Sequence, residues 1–233
     1  MEFQTWKPVY EGLLAAFGYL REGDERARDR LGELVAETET YSPAGLELDG
    51  KTVAIAGAGP SLETETERAA AADAVLAAST AVDRLQAAGV AVDAMVTDLD
   101  KNPETGRELT ESGTPVFVHA HGDNVPAVER WVPAYDAAAV VPTTQAAPTD
   151  RVHNFGGFTD GDRAAFTADH FGAAELRFVG WDFEDPDVPP EKREKLQWAE
   201  RLLHWLEGRR DERFDVLEGR RDDIPPLAGA DTE

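Results

Sequence analysis

The sequence contains no cysteine and only a few lysines. Without a thiol in its 233 residues, the chain cannot form a disulfide, a thiolate nucleophile or a cysteine-based zinc site. No apolar run approaches the roughly 20 residues that a membrane-spanning helix needs. No charged-then-apolar leader opens the sequence, so we expect a cytoplasmic protein. The length suits one substantial domain with additions.

Basic residues are heavily outnumbered by acidic ones. Aspartate and glutamate number 46 against 23 lysines and arginines, which gives a formal net charge of −23. A surface of this charge repels nucleic acid and anionic lipid, so neither is expected as a partner. With scarce lysine and abundant alanine, the charge favours adaptation to a very salty cytoplasm, as in halophilic archaea. An ordinary acidic protein is the alternative.

Short apolar runs alternate with helix-like stretches along most of the chain. Runs typical of buried parallel strands are Thr52–Gly57, Met95–Asp98, Pro115–Asp123, Ala138–Thr143 and Leu176–Asp182. Helices are expected at Asp24–Glu37, Pro126–Trp131, Asp160–Phe171 and Glu191–Leu206. The alternation predicts an α/β fold with a mostly parallel, Rossmann-like sheet covered by helices on both faces.

The alanine-rich stretch Glu65–Gly89 has the propensity of a single helix. Because a helix of about 25 residues would be long for a globular domain, we favour helix–strand–helix, with Asp73–Ser79 as the strand. The expected domain order is an N-terminal helical extension over 1–45, an α/β catalytic domain over 46–207, and a charged tail over 208–233 that ends in disorder.

Polar residues stand at the carboxyl end of every clear strand, which is where open parallel sheets bind ligands. The first strand ends in GAGPSL, Gly57–Leu62, whose two glycines would let a ligand approach the backbone. Ser61 is placed to cap the next helix, whose N-terminus would favour a phosphate. A plain strand-to-helix turn is the equal alternative.

Asp98 and Asp100 follow another strand, and alternate residues of a strand share a face. Two neighbouring carboxylates repel each other unless a proton or cation intervenes. Mg²⁺ favours one or two carboxylates with waters and phosphates, and Asp123 at a neighbouring strand end could complete the set. A solvated turn in DLDKNPETG is the alternative. Because no third soft ligand accompanies His119 and His121, we prefer hydrogen-bonding, phosphate-facing or structural roles for them over a zinc site.

The segment NFGGFTDGDRAAF, Asn154–Phe166, combines two glycines with a helix start. Thr159 and Asp160 can cap a helix that begins near Gly161. Arg163 falls in its first turn, where the helix dipole disfavours a cation. We therefore expect Arg163 to face an anion such as phosphate; a surface ion pair with Asp160 or Asp162 is the alternative.

In this order, the stretches GAGPSL, VTDLD, VHAHGDN, TTQ, NFGGFTDGDRA and GWDF resemble the archaeal 6-hydroxymethyl-7,8-dihydropterin pyrophosphokinases. The likeness covers roughly Lys51–Glu207. The family itself is similar in fold to the catalytic domain of thiamin pyrophosphokinases, which place an acidic D-x-D at a strand end for Mg²⁺. The resemblance implies transfer of the terminal diphosphate of ATP to the pterin hydroxymethyl group, with release of AMP. It also implies a place in the synthesis of folate-type or tetrahydromethanopterin cofactors.

The resemblance assigns roles to the candidate residues. Asp98, Asp100 and Asp123 would hold one or two Mg²⁺, Arg163 would balance charge, and Asp123 is the first choice to accept the hydroxymethyl proton. Residues expected around ATP are Gly57, Gly59, Pro60, Ser61, His121, Asn124, Gly157, Thr159, Asp160, Asp162 and Lys195. Residues expected around the pterin are Thr144, Gln145, Phe158, Trp181 and Asp182, with an aromatic ring stacking and Asp182 pairing with the guanidine-like edge.

Two other functions stay open at this point. One is a nucleotide-sugar-dependent glycosyltransferase related to motility-associated factors, although those chains are much longer. The other is a non-enzymatic nucleotide-binding module, which would not need three acids at adjacent strand ends. The partners expected for the pyrophosphokinase are ATP and hydroxymethyl-dihydropterin, and a homo-oligomer is left open.

Overall fold

Six parallel strands form a single sheet in the computed structural model, which describes residues 1–227. The strands are β1 (Thr52–Ala56), β2 (Ala74–Ala78), β3 (Ala94–Thr97), β4 (Val116–Ala120), β5 (Val140–Thr144) and β6 (Glu175–Val179). Their spatial order is β5-β4-β3-β2-β1-β6. The chain steps in one direction from β1 to β5 and then crosses back to lay β6 beside β1. This reversal opens a crevice at the carboxyl ends of β1 and β6, a position where open sheets bind ligands.

Helices cover both faces of the sheet, which confirms the predicted fold class. They are α1 (Phe3–Phe17), α2 (Arg21–Leu34), α3 (Leu62–Ala70), α4 (Ala81–Ala87), α5 (Pro103–Glu111), α6 (Val125–Trp131), α7 (Asp160–His170) and α8 (Pro190–Arg210). One face packs against α1, α7 and α8 through Trp6, Phe166 and Trp205. The opposite face packs against α2 to α6, with Leu31 and Leu85 in its core. Side chains alternate between the two cores along each strand, as the pleat requires.

Most expected elements are confirmed, with local differences. The stretch Glu65–Gly89 forms helix, strand and helix as favoured, in α3, β2 and α4. The strand expected over Pro115–Asp123 ends at Ala120, and the residues after it form a loop over the cavity. Helix α5 was not predicted, because its start lies in the turn-rich DLDKNPETG. Pro103 occupies the first helical turn, where its missing N–H costs nothing.

Both ends of the described chain contribute to the core. Trp6 and Tyr10 of α1 are fully enclosed, as are Phe214 and Leu217 beyond α8. The N-terminal helices therefore pack directly against the sheet layers, and the domain boundaries at 45 and 207 stay predictions. The disordered terminus expected for the tail falls on 228–233 and lies outside the described residues. No helix within 1–227 combines the length and apolar character needed to cross a bilayer.

Candidate active site

A cavity of about 880 Å³ opens at the carboxyl edge of the sheet. Its walls come from the turn after β1, the segments after β3 and β4, the start of α7, the residues after β6, α8 and the junction of α1 with α2. Of the residues predicted from sequence, those that line it are Gly57, Gly59, Asp98, Asp100, His121, Asp123, Gln145, Phe158, Thr159, Asp160, Arg163, Trp181, Asp182 and Lys195. Residues far apart in sequence thus meet in one place, as the strand-end pattern predicted.

The glycines after β1 serve the protein's own packing. A Cβ on Gly57 would lie 2.6 Å from the carbonyl oxygen of Gly180, so this turn fits against the end of β6 only without a side chain. Ser61 occupies the N-cap position of α3, but its hydroxyl donates to Asp182 Oδ2 at 2.8 Å, and its N–H donates to the same oxygen at 3.0 Å. The prediction that the Ser61 hydroxyl caps the helix is wrong, because Asp182 takes it.

Asp98 and Asp100 lie together, but not for the reason predicted. Strand β3 ends at Thr97, and Leu99 has φ +69°, a left-handed conformation that is uncommon for a branched residue. Thr97 Oγ1 accepts from Leu99 N–H at 3.0 Å, and Asp98 Oδ1 accepts from Asp100 N–H at 3.3 Å. A tight turn, and not strand alternation, therefore sets the two carboxylates side by side.

Three carboxyl groups compete for ionisation at this turn. Burial opposes the ionisation of Asp98, but hydrogen bonds with His121 and Asp100 and the charge of Arg163 hold its pKa well below the ordinary value. Desolvation in the cavity, then the hydrogen bond and charge of Asp98, raise the pKa of Asp100 to about 6. Burial and the charge of Asp98 raise the pKa of Asp160 to about 8, against the pull of Arg163. Binding of a cation would favour release of the protons from Asp100 and Asp160, because a positive charge stabilises the ionised carboxylates.

The donor set suits a hard cation that also binds phosphates. Within residues 1–227, no three His, Cys, Asp or Glu side chains are arranged to hold a metal ion by themselves. Mg²⁺ commonly uses only one or two carboxylates, with waters and substrate phosphates completing its shell, so the pair Asp98–Asp100 fits. Asp123 lines the cavity but is exposed. The role of Asp123 as a metal ligand stays a prediction. Asp160 is the third acid that interacts electrostatically with Asp98 and Asp100.

Arg163 lies inside the protein at the start of α7. Its side chain is only 7% exposed, and Nη1 donates to Asp160 Oδ1 at 2.9 Å. The alternative of a surface ion pair correctly named Asp160 as a partner. It is wrong about the surface, because the pair is buried. Gly157 has φ +94°, and a Cβ there would lie 2.6 Å from Arg163 Cα. Thr159 takes the N-cap position as predicted. Its N–H and its hydroxyl donate to Asp162 Oδ2 at 3.0 Å and 2.6 Å.

Several predicted contact residues do not line the cavity. They are Pro60, Ser61, Asn124, Thr144, Gly157 and Asp162. The amide of Asn124 donates to the carbonyl oxygens of Asp98 at 2.8 Å and His119 at 2.7 Å, and so ties two strand ends together. Thr144 is buried, and its Oγ1 accepts from Ala146 N–H at 3.1 Å. Ligand contact by these six residues stays a prediction.

The two histidines have different surroundings. His119 is buried beside β5, with Nδ1 3.1 Å from Thr143 Oγ1. Thr143 Oγ1 also lies 3.1 Å from the Val118 carbonyl oxygen, which can accept its hydroxyl proton. Burial lowers the pKa of His119 well below its usual value, so the ring is neutral. His121 instead lines the cavity, with Nε2 3.5 Å from Asp98 Oδ2.

Sequence reasoning missed most of the cations around the cavity. Three of the chain's five lysines line it: Lys101, Lys192 and Lys195. Lys195 forms an ion pair with Glu191 at 3.0 Å, whereas Lys101, Lys192 and Arg26 form none with any acid of residues 1–227. In a chain with twice as many acids as bases, such unpaired cations are unexpected. The scarcity of lysine was a signal that could have pointed to them.

The fold and the cavity place this chain among the α/β proteins that bind ligands at the carboxyl edge of an open parallel sheet. A family model described as "6-hydroxymethylpterin diphosphokinase MptE-like" matches residues 31–188. This span covers more than half of the chain, and the chain belongs to that family.

Curated relatives extend the similarity beyond the family model. A 6-hydroxymethyl-7,8-dihydropterin pyrophosphokinase of Methanothermobacter thermautotrophicus is 37% identical over 232 residues, which cover 92% of this chain and 99% of the relative. Proteins of the same name from Pyrococcus furiosus and Methanocaldococcus jannaschii are 37% and 29% identical, each over 88% of this chain and at least 94% of the relative. The resemblance drawn from the sequence motifs is confirmed.

Proposed function

We propose that this protein transfers the terminal diphosphate of ATP to the hydroxymethyl group of 6-hydroxymethyl-7,8-dihydropterin, with Mg²⁺, and releases AMP. The names of its relatives supply the reaction class. The observation that carries the proposal is the meeting, in one cavity, of crowded carboxylates and unpaired cations. A divalent cation would satisfy the first group and a polyphosphate the second, and an ATP–metal complex contains both.

Asp98 and Asp100 are the proposed Mg²⁺ ligands, with Asp160 close behind them. Burial, and then the neighbouring Asp98, raise the pKa of Asp100 and Asp160, and oxygen donors are those that Mg²⁺ prefers. Asp98 and Asp100 would hold the ion, which would supply charge neutralisation for the transferred phosphates. The left-handed turn at Leu99 holds the two ligands together before any ligand arrives.

Arg163, Lys101 and Lys192 are proposed to hold the phosphates. Diphosphoryl transfer depends mainly on positioning and charge neutralisation, because the protein need not form a covalent bond. Arg163 is fixed by Asp160 at 2.9 Å, so its guanidinium is oriented before the substrate binds. Burial and the charge of Lys101 lower the pKa of Lys192, while the carboxylates across the cavity oppose that change.

The pterin is proposed to bind near the end of β6. Trp181 and Phe158 both line the cavity, and Trp181 Nε1 donates to the Ile55 carbonyl oxygen at 3.0 Å, which fixes the indole for stacking. Asp182 is proposed to face the guanidine-like edge of the pterin, since Ser61 binds only its Oδ2. Asp123 remains the proposed acceptor of the hydroxymethyl proton. The product would serve pterin-cofactor synthesis of the folate or tetrahydromethanopterin type.

The direct test measures AMP formed from ATP by the purified protein with and without hydroxymethyl-dihydropterin. We expect AMP only when the pterin and Mg²⁺ are both present, and none from the Asp98→Asn variant under the same conditions. ATP binding without AMP formation would instead support the nucleotide-binding module. Turnover of a nucleotide sugar without pterin would support the glycosyltransferase, and either result would overturn the proposal.

A further inference from the structure

Asp24, on the N-terminal helix α2, is a buried acid with both oxygens occupied. It is 3% exposed. Its Oδ1 accepts from the Gly122 N–H at 2.9 Å, and its Oδ2 accepts from the Tyr10 hydroxyl at 2.8 Å and from Gln145 Nε2 at 2.9 Å. Burial and the hydrogen bond to Asp24 raise the pKa of Tyr10, so its hydroxyl stays a donor. One carboxylate thus joins α1, α2 and the loops after β4 and β5.

The backbone of α2 rests directly on the loop after β4. A Cβ on Gly122 would lie 3.2 Å from Gly23 Cα, and a Cβ on Gly23 would lie 3.4 Å from Gly122 Cα. Two facing glycines therefore let the helix come close enough for Asp24 to reach the Gly122 N–H. This packing is a second observation, independent of the side-chain hydrogen bonds, that couples α2 to the same loop.

That loop carries three cavity residues, His121, Gly122 and Asp123. Its far end is held by Asn124, whose amide binds the Asp98 carbonyl oxygen and whose Oδ1 accepts from the His121 N–H at 2.9 Å. Asp24 holds the middle of the loop at Gly122. The backbone is consequently held at the N–H of His121 and at the next N–H, and His121 Nε2 lies 3.5 Å from Asp98 Oδ2.

We infer that Asp24 is a positioning residue, which fixes the His121–Asp123 loop at the cavity and makes the N-terminal helices part of the active site. Asp24 precedes the span 31–188 that matches the family model, so the family match does not assign it. The inference rests on the proposed function for its kinetic readout, whereas its structural readout needs no activity.

The kinetic test compares Asp24→Ala, Asp24→Asn and Tyr10→Phe. Asp24→Ala removes the acceptor for the Gly122 N–H, and we expect kcat/KM to fall about 10- to 100-fold, the range for losing a charged hydrogen bond. Asp24→Asn keeps an oxygen for Gly122, while Tyr10 and Gln145 can turn to accept from its amide, so we expect most activity to return. Tyr10→Phe leaves the Gly122 bond intact and should change kcat/KM by less than about threefold. Equal losses in the Ala and Asn variants would overturn the inference.

A double-mutant cycle separates positioning from general stability. If Asp24 acts through the loop, Asp24→Ala should cost much less kcat/KM in a His121→Ala background than in the unmodified protein. Full additivity of the two losses would contradict the inference. Thermal melts of each variant identify any that does not fold.

Hydrogen exchange keeps the inference testable if Asp24→Ala does not fold or if the protein forms no AMP. In the unmodified protein, we expect the Gly122 amide to be protected, since Asp24 binds it. Protection should persist in Tyr10→Phe and Asp24→Asn. A Gly122 amide that exchanges as freely as an exposed loop would overturn the inference whatever the enzyme assay shows. Protection without AMP formation would leave the positioning intact and count only against the proposed function.

Discussion

The two sides of the cavity differ in both the sign and the pairing of their charges. The inner wall, defined as Asp98, Asp100 and Asp160, holds three acids together, and burial followed by the neighbouring Asp98 raises the pKa of Asp100 and Asp160. The rim, defined as Arg26, Lys101 and Lys192, presents cations that form no ion pair with an acid of residues 1–227. The inner wall thus sets three acids against one cation, Arg163, whereas the rim cations form no ion pair with an acid of residues 1–227. Keeping the two groups apart leaves room for a ligand that carries both, such as metal-bound polyphosphate.

The largest effect is expected from the inner wall. Asp98→Asn and Asp100→Asn should each lower turnover by about 10³-fold or more, because each removes a proposed Mg²⁺ ligand. Asp100→Asn should also hold or raise the melting temperature of the metal-free protein, since it relieves repulsion between carboxylates. Steady-state assays at limiting Mg²⁺, with parallel melts, check both expectations. Near-normal rates for either variant would show that the metal ligands lie elsewhere.

Arg163, which pairs with Asp160 of the inner wall and is the proposed phosphate ligand, should rank second. Arg163→Ala should lower kcat/KM for ATP by about 10²-fold, with a smaller effect on the KM for the pterin. Arg163→Lys should restore only part of this, because lysine lacks the bidentate fork. Arg177→Ala is the matched control and should change little. Arg177 lies within β6, pairs with Glu175 at 3.2 Å and does not line the cavity. Unchanged kinetics for Arg163→Ala would reduce it to a structural residue.

The pH dependence of metal binding sharpens the comparison further. The folded-state pKa of Asp100 rises from 3.8 to about 6 and that of Asp160 to about 8. Their protons therefore favour the fold at low pH, and this stabilisation is lost as pH rises through those values. Mg²⁺ should restore it, so the melting shift caused by Mg²⁺ should be small at pH 5 and clearly larger near pH 8.5. A Mg²⁺ shift that is independent of pH, or unchanged in Asp100→Asn, would contradict this account.

Salt should act on the outer surface with the smallest effect of the series. We propose that the charge of −23 reflects adaptation to high salt, and that screening relieves repulsion among the surface acids. The melting temperature should rise as KCl increases from roughly 0.1 to 2 M, over which the Debye length falls from about 10 Å to below 3 Å. Melts at fixed pH and Mg²⁺ test this. A flat midpoint across that range would leave the acidic surface unrelated to salt.

The strand-end motifs predicted the sheet and most of the cavity because parallel strands bring their carboxyl ends to one edge. The closeness of Asp98 and Asp100 was predicted correctly from a wrong geometry, since no periodicity announces a left-handed leucine between them. Helix α5 was missed for a related reason: Asn102 and Pro103 are turn residues that here begin a helix.

The contribution of the N-terminal helices could not be predicted from local patterns. The spacing of Trp6 and Tyr10 shows which side of α1 is apolar but does not show which part of the sheet it covers. Asp24 looks like one surface acid among 46, and only docking of α2 on Gly122 gives it three donors. Long-range packing, which no short sequence window contains, decides such roles.

The most direct test of the two-sided cavity is calorimetric binding of a non-hydrolysable ATP analogue with and without Mg²⁺. The variants are Asp98→Asn for the inner wall and Lys101→Met with Lys192→Met for the rim, while Lys7→Met is the control because Lys7 is exposed on α1 and does not line the cavity. We expect Asp98→Asn to abolish the affinity gained from Mg²⁺, and the rim variant to weaken binding about fivefold or more under both conditions. The control should change affinity less. An affinity that Mg²⁺ does not improve in the unmodified protein, or a rim variant that binds normally, would contradict the central claim.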